Sequence, residues 1–419
     1  MQGSLRSGRV RAFLVAEAIS AVGTWATFIA IWGYAAFEFG ASATDVSLFG
    51  VMLTLPGVLL GPFVGTVIDR IGPRSTLALA KVGGVVASLA LLAADDFRTL
   101  AVLSGVHGMV GAFVVPALQS LPPRIVPDDE LARTNALVSL TDEVAIVAGP
   151  VVGAVSIGWF GFRGAFVLDA LTYLLGVLVL PLVHVRPLDG RPEGAGAPGV
   201  RDALDGLRLV ARTPVLRNVV VAMSSVHLLY GAALVAEPLY VRDILERPES
   251  TFAALQAVFG VFLVAGGVTV ARLGERIASF GWVVLGVGTS GITAVVYLGT
   301  PSVVVAFVGV AAWGVCTALL SGPSRTLLQR HAPESVHGRV LATDTMSGTA
   351  AQMIGIVSTG GLVATVGVSG AIAALGALVV VVAVLLGRAH GRQVAPQLPS
   401  LAAAPLPEPA PDVAVEAVG

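Results

Sequence analysis

Cysteine, lysine and charge are all scarce in this chain: one Cys, one Lys, and only 12% charged residues among 419. The lone Cys316 leaves no intramolecular disulfide and no cysteine-rich metal site. No Gly-x-x-x-x-Gly-Lys-[Ser/Thr] stretch occurs, which removes the usual nucleotide-hydrolysing loop. No His-Glu-x-x-His and no Gly-x-Ser-x-Gly occurs either, so an enzyme is not expected. A net charge of -1 gives no excess of either sign to attract nucleic acid. No cofactor or metal is called for. What is abundant is apolar: 55% of residues are hydrophobic and the mean hydropathy is +0.88, too high for a chain whose surface meets only water. Lipid is the solvent such a composition fits.

Twelve apolar stretches, from Ala12–Phe37 to Ala371–Leu386, are separated by short polar connections. Barrel strands would be about half as long and would alternate, so the expected fold is all-α, with twelve transmembrane helices in two pseudo-symmetric six-helix bundles. Of the 25 Lys and Arg residues, 21 fall in or beside alternate connections on one side, Lys81 counted among them. Arg98, Arg163, Arg242 and Arg247 fall on the other. Basic connections stay cytoplasmic, which predicts a multi-pass cell-membrane protein with both termini inside. The expected organisation is an N-terminal bundle over 1–185, a cytoplasmic loop over 186–217, a C-terminal bundle over 218–387 and a disordered cytoplasmic tail over 388–419. Within the loop, Leu204, Leu207 and Val210 alternate with Arg201, Arg208 and Arg212 as in a helix lying on the lipid surface.

The chain repeats itself. Gly65, Asp69, Arg70, Gly72 and Arg74, between spans two and three, are matched 202 residues later by Gly267, Arg272, Gly274 and Arg276. Arg124, Pro127 and Arg133 recur as Arg330, Pro333 and Arg339. Related halves are a signature of transporters. The first loop resembles that of the major facilitator superfamily, Gly-x-x-x-Asp-Arg-x-Gly-[Arg/Lys]-[Arg/Lys], with Pro73 in place of one basic residue. Gly149, Pro150 and Gly153 in span five resemble the motif of its drug/proton antiporters. Residues 122–135, with their 131–135 ending, 169–173 and 213–217 resemble the branch that contains the enterobactin exporter.

The resemblance implies a secondary transporter working by alternating access. Asp69, near Arg339, would latch one conformation, with Arg70 and Arg74 on lipid or acidic groups. In that branch an acid follows Ser-x-x-Gly in span one; here Thr24 follows Gly23.

Ionisable residues inside spans are the remaining candidates, because an intramembrane charge is costly enough to suggest function. Counting about 1.5 Å per residue from flanking Arg residues places Asp142, Glu143, His227 and His107 near the midplane. Glu17, Asp169 and Asp344 come out shallow enough to reach water, and Glu237 comes out at the outer interface. Asp169 suits a bundle contact. Proton-coupling candidates are therefore Asp142, Glu143, His227, Glu17 and Asp344. Asp142 and Glu143 sit about 100° apart, so one would face a cavity and the other a neighbouring helix. Each carboxylate and His227 can equally be a static hydrogen-bonded or ion-paired group.

Glu17, Ser20, Thr24 and Thr27 form a polar stripe on span one, fit either to line a cavity or to glue helices. Trp25, Tyr230 and Ser347 are further cavity candidates. Lys81 and Arg325 sit near span ends, which predicts a cavity without strong anion selectivity. The expected function is proton-driven export of a drug, siderophore or secondary metabolite. The alternative is a proton-coupled nutrient uptake permease. Partners are then the small-molecule substrate, protons and membrane lipids, with the chain acting as a monomer.

Overall fold

The computed structural model describes residues 7–186, 200–333 and 336–394. Eleven helices carry the fold: α1 (Gly8–Phe37), α2 (Ala43–Ile71), α3 (Pro73–Ala90), α4 (Phe97–Gln119), α5 (Asp128–Val179), α6 (Val200–Arg212), α7 (Pro214–Leu239), α8 (Glu249–Leu273), α9 (Phe280–Gly299), α10 (Val303–His331) and α11 (His337–Val394). All but α6 are long and apolar enough to cross a bilayer. Two are too long for one crossing. α5 has 52 residues and α11 has 58, and each breaks at a glycine with positive φ, Gly161 (φ 67) and Gly367 (φ 75).

Side-chain contacts show that the chain reverses at these glycines. Before the break, Gly149 meets Trp25 and Gly153 meets Ala26; after it, Thr27 bonds the Ala165 carbonyl and Gly23 meets Thr172, back down α1. Likewise Gly231 of α7 lies against Gln352, before Gly367, while Gly376, beyond it, lies against Gly291 of α9. Each long helix is therefore two arms, and the described residues make twelve crossings. The last helix runs to Val394, so residues 388–394, expected in a disordered tail, continue the α11 helix; 395–419 lie outside the described residues, as does 187–199 of the central loop.

The six described positive-φ residues fall into three pairs: Gly40 with Glu246, Gly72 with Gly274, and Gly161 with Gly367. Each pair occupies the same connection in the two halves. The repeat is therefore written in backbone geometry as well as in side chains. Gly72 illustrates why: it ends α2, its N–H bonding the Ile68 carbonyl, and one residue later Pro73 starts α3. A side chain there would be strained by its own carbonyl. Glu246 (φ 50) is the one member that is not glycine, and it is exposed. Glu246→Gly is expected to raise stability by up to about 1 kcal/mol, relief of the left-handed penalty being partly offset by unfolded-chain entropy. An unchanged melting temperature in detergent would refute that.

Within the first half α1 packs against α5; within the second, α7 packs against α11. The halves meet through α2 with α11 and α5 with α8. By the chain's up-and-down course, the loops after α2 and α8 lie at one end, here the basic end. The reversals at Gly161 and Gly367 lie at the other, the far end. At the far end, Arg242 is held by both carboxylate oxygens of Asp243 and donates across the seam to the carbonyls of Ala36 (2.6 Å) and Ala41 (3.1 Å). Phe37 packs on Phe252, and Gly360 meets Ser47. One apolar core runs through both halves here, whereas Val10, Phe13, Ile68, Leu77, Leu121 and Val183 belong to a separate core confined to the first half. That second core lies toward the basic end. α6 packs against α11 and α7, with Gly206 against Arg339 and Thr343.

Candidate functional site

The polar stripe of α1 faces into its own half. Ser20 and Thr27 are fully buried, so neither lines a cavity, and Thr27 donates to the Ala165 carbonyl at 3.0 Å. Glu17, expected to reach water, is 2% exposed, and its Oε2 lies 2.8 Å from Lys81 Nζ. Lys81 is 1% exposed, donates to Ser20 Oγ at 2.9 Å and lies over the Tyr173 ring. It is no end residue: α3 starts at Pro73, which puts Lys81 about 12 Å into the span. Its ammonium is compensated by a carboxylate and a hydroxyl, as a buried cation must be.

A second polar cluster adjoins the first. Asp169, expected to be shallow, has no exposure at all. Its Oδ2 accepts from Ser88 (2.7 Å) and lies 2.9 Å from His107 Nε2; its Oδ1 accepts from Thr24 (3.2 Å). Thr24, where an acid was expected, thus bonds a carboxylate supplied from the second arm of α5. Thr24 also reaches the carbonyl of Ser20, so the two clusters form one column joining α1, α3, α4 and α5. Two hydroxyls and an imidazole converging on Asp169, with an ammonium on Glu17, make a network with high electrostatic stakes.

The second half contributes a looser set. His227 Nδ1 donates to the Met223 carbonyl at 2.8 Å, which leaves Nε2 as the nitrogen able to take a proton. Gly348 packs against that ring, and Asp344 is close enough for its charge to interact with it. Asp344 is half-buried, and its Oδ1 is buried with no hydrogen-bond partner. His227 and Asp344, counted apart in the sequence, form one candidate site across α7 and α11. Tyr230 is half-buried between Phe259 and Trp313; Trp25 is half-buried beside Phe28; Ser347 is half-buried on α11. Asp142 is half-buried on the first arm of α5, and the side chain of Glu143 lies outside the described ones.

Glu237, expected at the outer interface, is 7% exposed and lines a small cavity between the halves. Counting along one helix gives height and not burial, so it left out the other half that covers Glu237. The signal was there in its apolar flanks, Val235, Ala236, Pro238 and Leu239. The glycine motif lies at the crossing of three helices. Gly149 and Gly153 admit Trp25 and Ala26 of α1 on one side, while Gly260 of α8 sits against the Val147 carbonyl and Pro150 on the other. At the basic end, Asp69, Arg70 and Arg272 occupy exposed last turns of α2 and α8, with Gly65 a turn earlier, half-buried, and Gly267 in open space; Arg276 is exposed after Gly274. Arg74 donates to the Pro181 carbonyl at 3.5 Å. Among the described residues no cluster of His, Cys, Asp and Glu is arranged to hold a metal.

The sequence profile of the Major Facilitator Superfamily matches residues 13–355. The chain is similar to the uncharacterized MFS-type transporter YfiS of Bacillus subtilis, 23% identical over 89% of this chain and 91% of that one. It is 26% identical to the multidrug efflux pump Tap of Mycolicibacterium fortuitum, covering 85% and 90% of the two chains. Among solved structures, the inward-facing, unoccupied form of a bacterial homologue of the human lysosomal transporter Spinster matches with a TM-score of 0.69 at 15% identity, over 91% and 96% of the chains.

Proposed function

The chain belongs to the Major Facilitator Superfamily and is a multi-pass membrane transporter; from that premise we propose that it exports a small molecule across the cytoplasmic membrane by alternating access, in exchange for protons. The basic end is cytoplasmic, both termini lie inside, and the units that rock are the six-crossing halves over 1–185 and 218–387. It acts as a monomer. The conformation here, joined at the far end and with a separate core toward the basic end, is one open to the cytoplasm. Asp69 and Arg339 approach one another when the basic end closes.

The observation that carries export is the placement of Gly149, Pro150 and Gly153 where α5 crosses both α1 and α8. A stretch resembling the antiporter motif thus occupies the seam that must shear when the halves rock. The efflux role named for the similar Tap pump supports the same direction. Substrates in that reading are drugs, siderophores or secondary metabolites, and the first-arm carboxylates Asp142 and Glu143 carry protons.

Reconstituted vesicles loaded with a pH dye test the proposal. Adding substrate from a panel of lipophilic drugs and siderophores is expected to move protons opposite to the substrate, and Asp142→Asn or Glu143→Gln to cut that flux roughly tenfold or more, the loss of a coupling group rather than of a surface charge. Substrate accumulation with no proton movement would end the antiport reading, and co-directional movement would make it an uptake permease.

A further inference from the structure

Glu237 is a carboxyl that closure of the far end leaves without a compensating charge. It lies on α7 in the cavity between the halves, with Ile29 and Trp32 from α1, Pro238 from its own helix, and Phe252 and Gln256 from α8. Its Oε1 is buried with no hydrogen-bond partner, and so is Trp32 Nε1. The other titratable groups around it are tyrosines: Tyr230 on α7, Tyr240 in the π-helical turn that follows, and Tyr297 on α9, whose hydroxyl approaches the carboxyl. None of these groups is cationic. Among the described residues Glu237 forms no ion pair; the nearby Arg242 on the same segment is committed to Asp243 and to two carbonyls across the seam.

An ionised carboxylate in such a place would be desolvated without compensation, a state far more costly than a neutral acid in the same cavity. When the halves part at the far end, water enters this same seam and can solvate the charge. Resting on the proton-exchange reading above, we infer that Glu237 is a proton-binding site that governs the far end: the seam closes over the protonated carboxyl and opens as the carboxylate forms. The proton comes from water on the far side while the seam is open, adding to a carboxylate oxygen, is held while it is shut, and returns to that water when the seam reopens. Because only the closed state demands the proton, acid on the far side favours closure by linkage, without touching the substrate.

Spin labels across the far end report this directly. Trp159→Cys and Pro301→Cys, exposed and on opposite halves, are labelled in a Cys316→Ser background in lipid nanodiscs without substrate. Over roughly pH 5 to 8 the short-distance population is expected to dominate in acid and to shrink in base. In Glu237→Gln it is expected to stay short throughout, because the amide is neutral. Gln256→Lys, which places a cation in the cavity, is expected to abolish or reverse the pH response and to check the argument with the carboxyl intact. Both variants are first confirmed as monodisperse. An unresponsive parent, or a Glu237→Gln protein that opens with base as the parent does, overturns the inference. So does a parent-like response in Gln256→Lys. Because no substrate is present, these distances stand or fall separately from the proton-flux test of export.

Discussion

Lys81→Met is expected to cost about 3–5 kcal/mol, because removing one partner of a buried ion pair strands the other. Glu17 would be left buried without its cation, its Oε1 already lacking a hydrogen-bond partner, and Gly176, beside both residues, offers no side chain to replace it. At the usual entropy of unfolding per residue, for a chain of 419 residues this corresponds to a fall of roughly 3–6 °C in melting temperature. The paired change Glu17→Gln with Lys81→Met removes both charges and is expected to recover most of the loss, since a neutral buried pair of similar volume is often as stable as the ionic one. Thermal unfolding in detergent, followed by tryptophan fluorescence, distinguishes the outcomes. A double variant as unstable as Lys81→Met would show that packing over Tyr173, not charge compensation, is what Lys81 provides.

Gly260→Val should leave the protein folded and arrest it. A Cβ at 260 would stand 2.7 Å from the Val147 carbonyl oxygen, a backbone atom that cannot swing aside. Overpacking of this kind costs about 1–3 kcal/mol. Since α8 and the first arm of α5 belong to different halves, the cost falls on the conformation that keeps them in contact. The balance between inward- and outward-open states would then move by about 5–150-fold. Cysteine accessibility from the two sides of the membrane measures the shift, and transport rate its consequence. A Gly260→Val protein with parental rate and accessibility would mean that this crossing does not take part in the switch. Gly286, which meets only a leucine side chain within its own half, provides the comparison: Gly286→Ala is expected to change neither.

The twelve crossings were legible because length and hydropathy record lipid directly, and the reversals at Gly161 and Gly367 fell between stretches already separated by composition. The repeated loop was legible for the same reason that it is strained: Gly72 and Gly274 stand where the backbone admits little else. Which way a polar residue faces was not legible. Glu17, Ser20, Thr24 and Thr27 share a helical face, but a stripe has no sign, and whether it meets water or α3 and α5 is settled by neighbours more than sixty residues away. Depth misled for a related reason. Counting rise from the nearest Arg assumes that the helix ends there, yet α3 begins at Pro73, before Arg74, which moves Lys81 from its expected span end into the core. Asp344 and His227 were each found, but their pairing across two helices has no trace in one dimension.

The Lys81–Glu17 pair also bears on how the polypeptide is made. The first crossing enters the bilayer carrying an acid, and the third follows with the chain's single lysine. A charge at the centre of an isolated helix opposes insertion by about 2.5–3.5 kcal/mol, so neither segment is well suited to lipid alone. Synthesis order supplies the remedy. Glu17 is already waiting when Lys81 emerges, and the second crossing between them takes no part in the pair. The ribosome-bound intermediate can therefore form its first buried ion pair at the third crossing, before any of the second half exists.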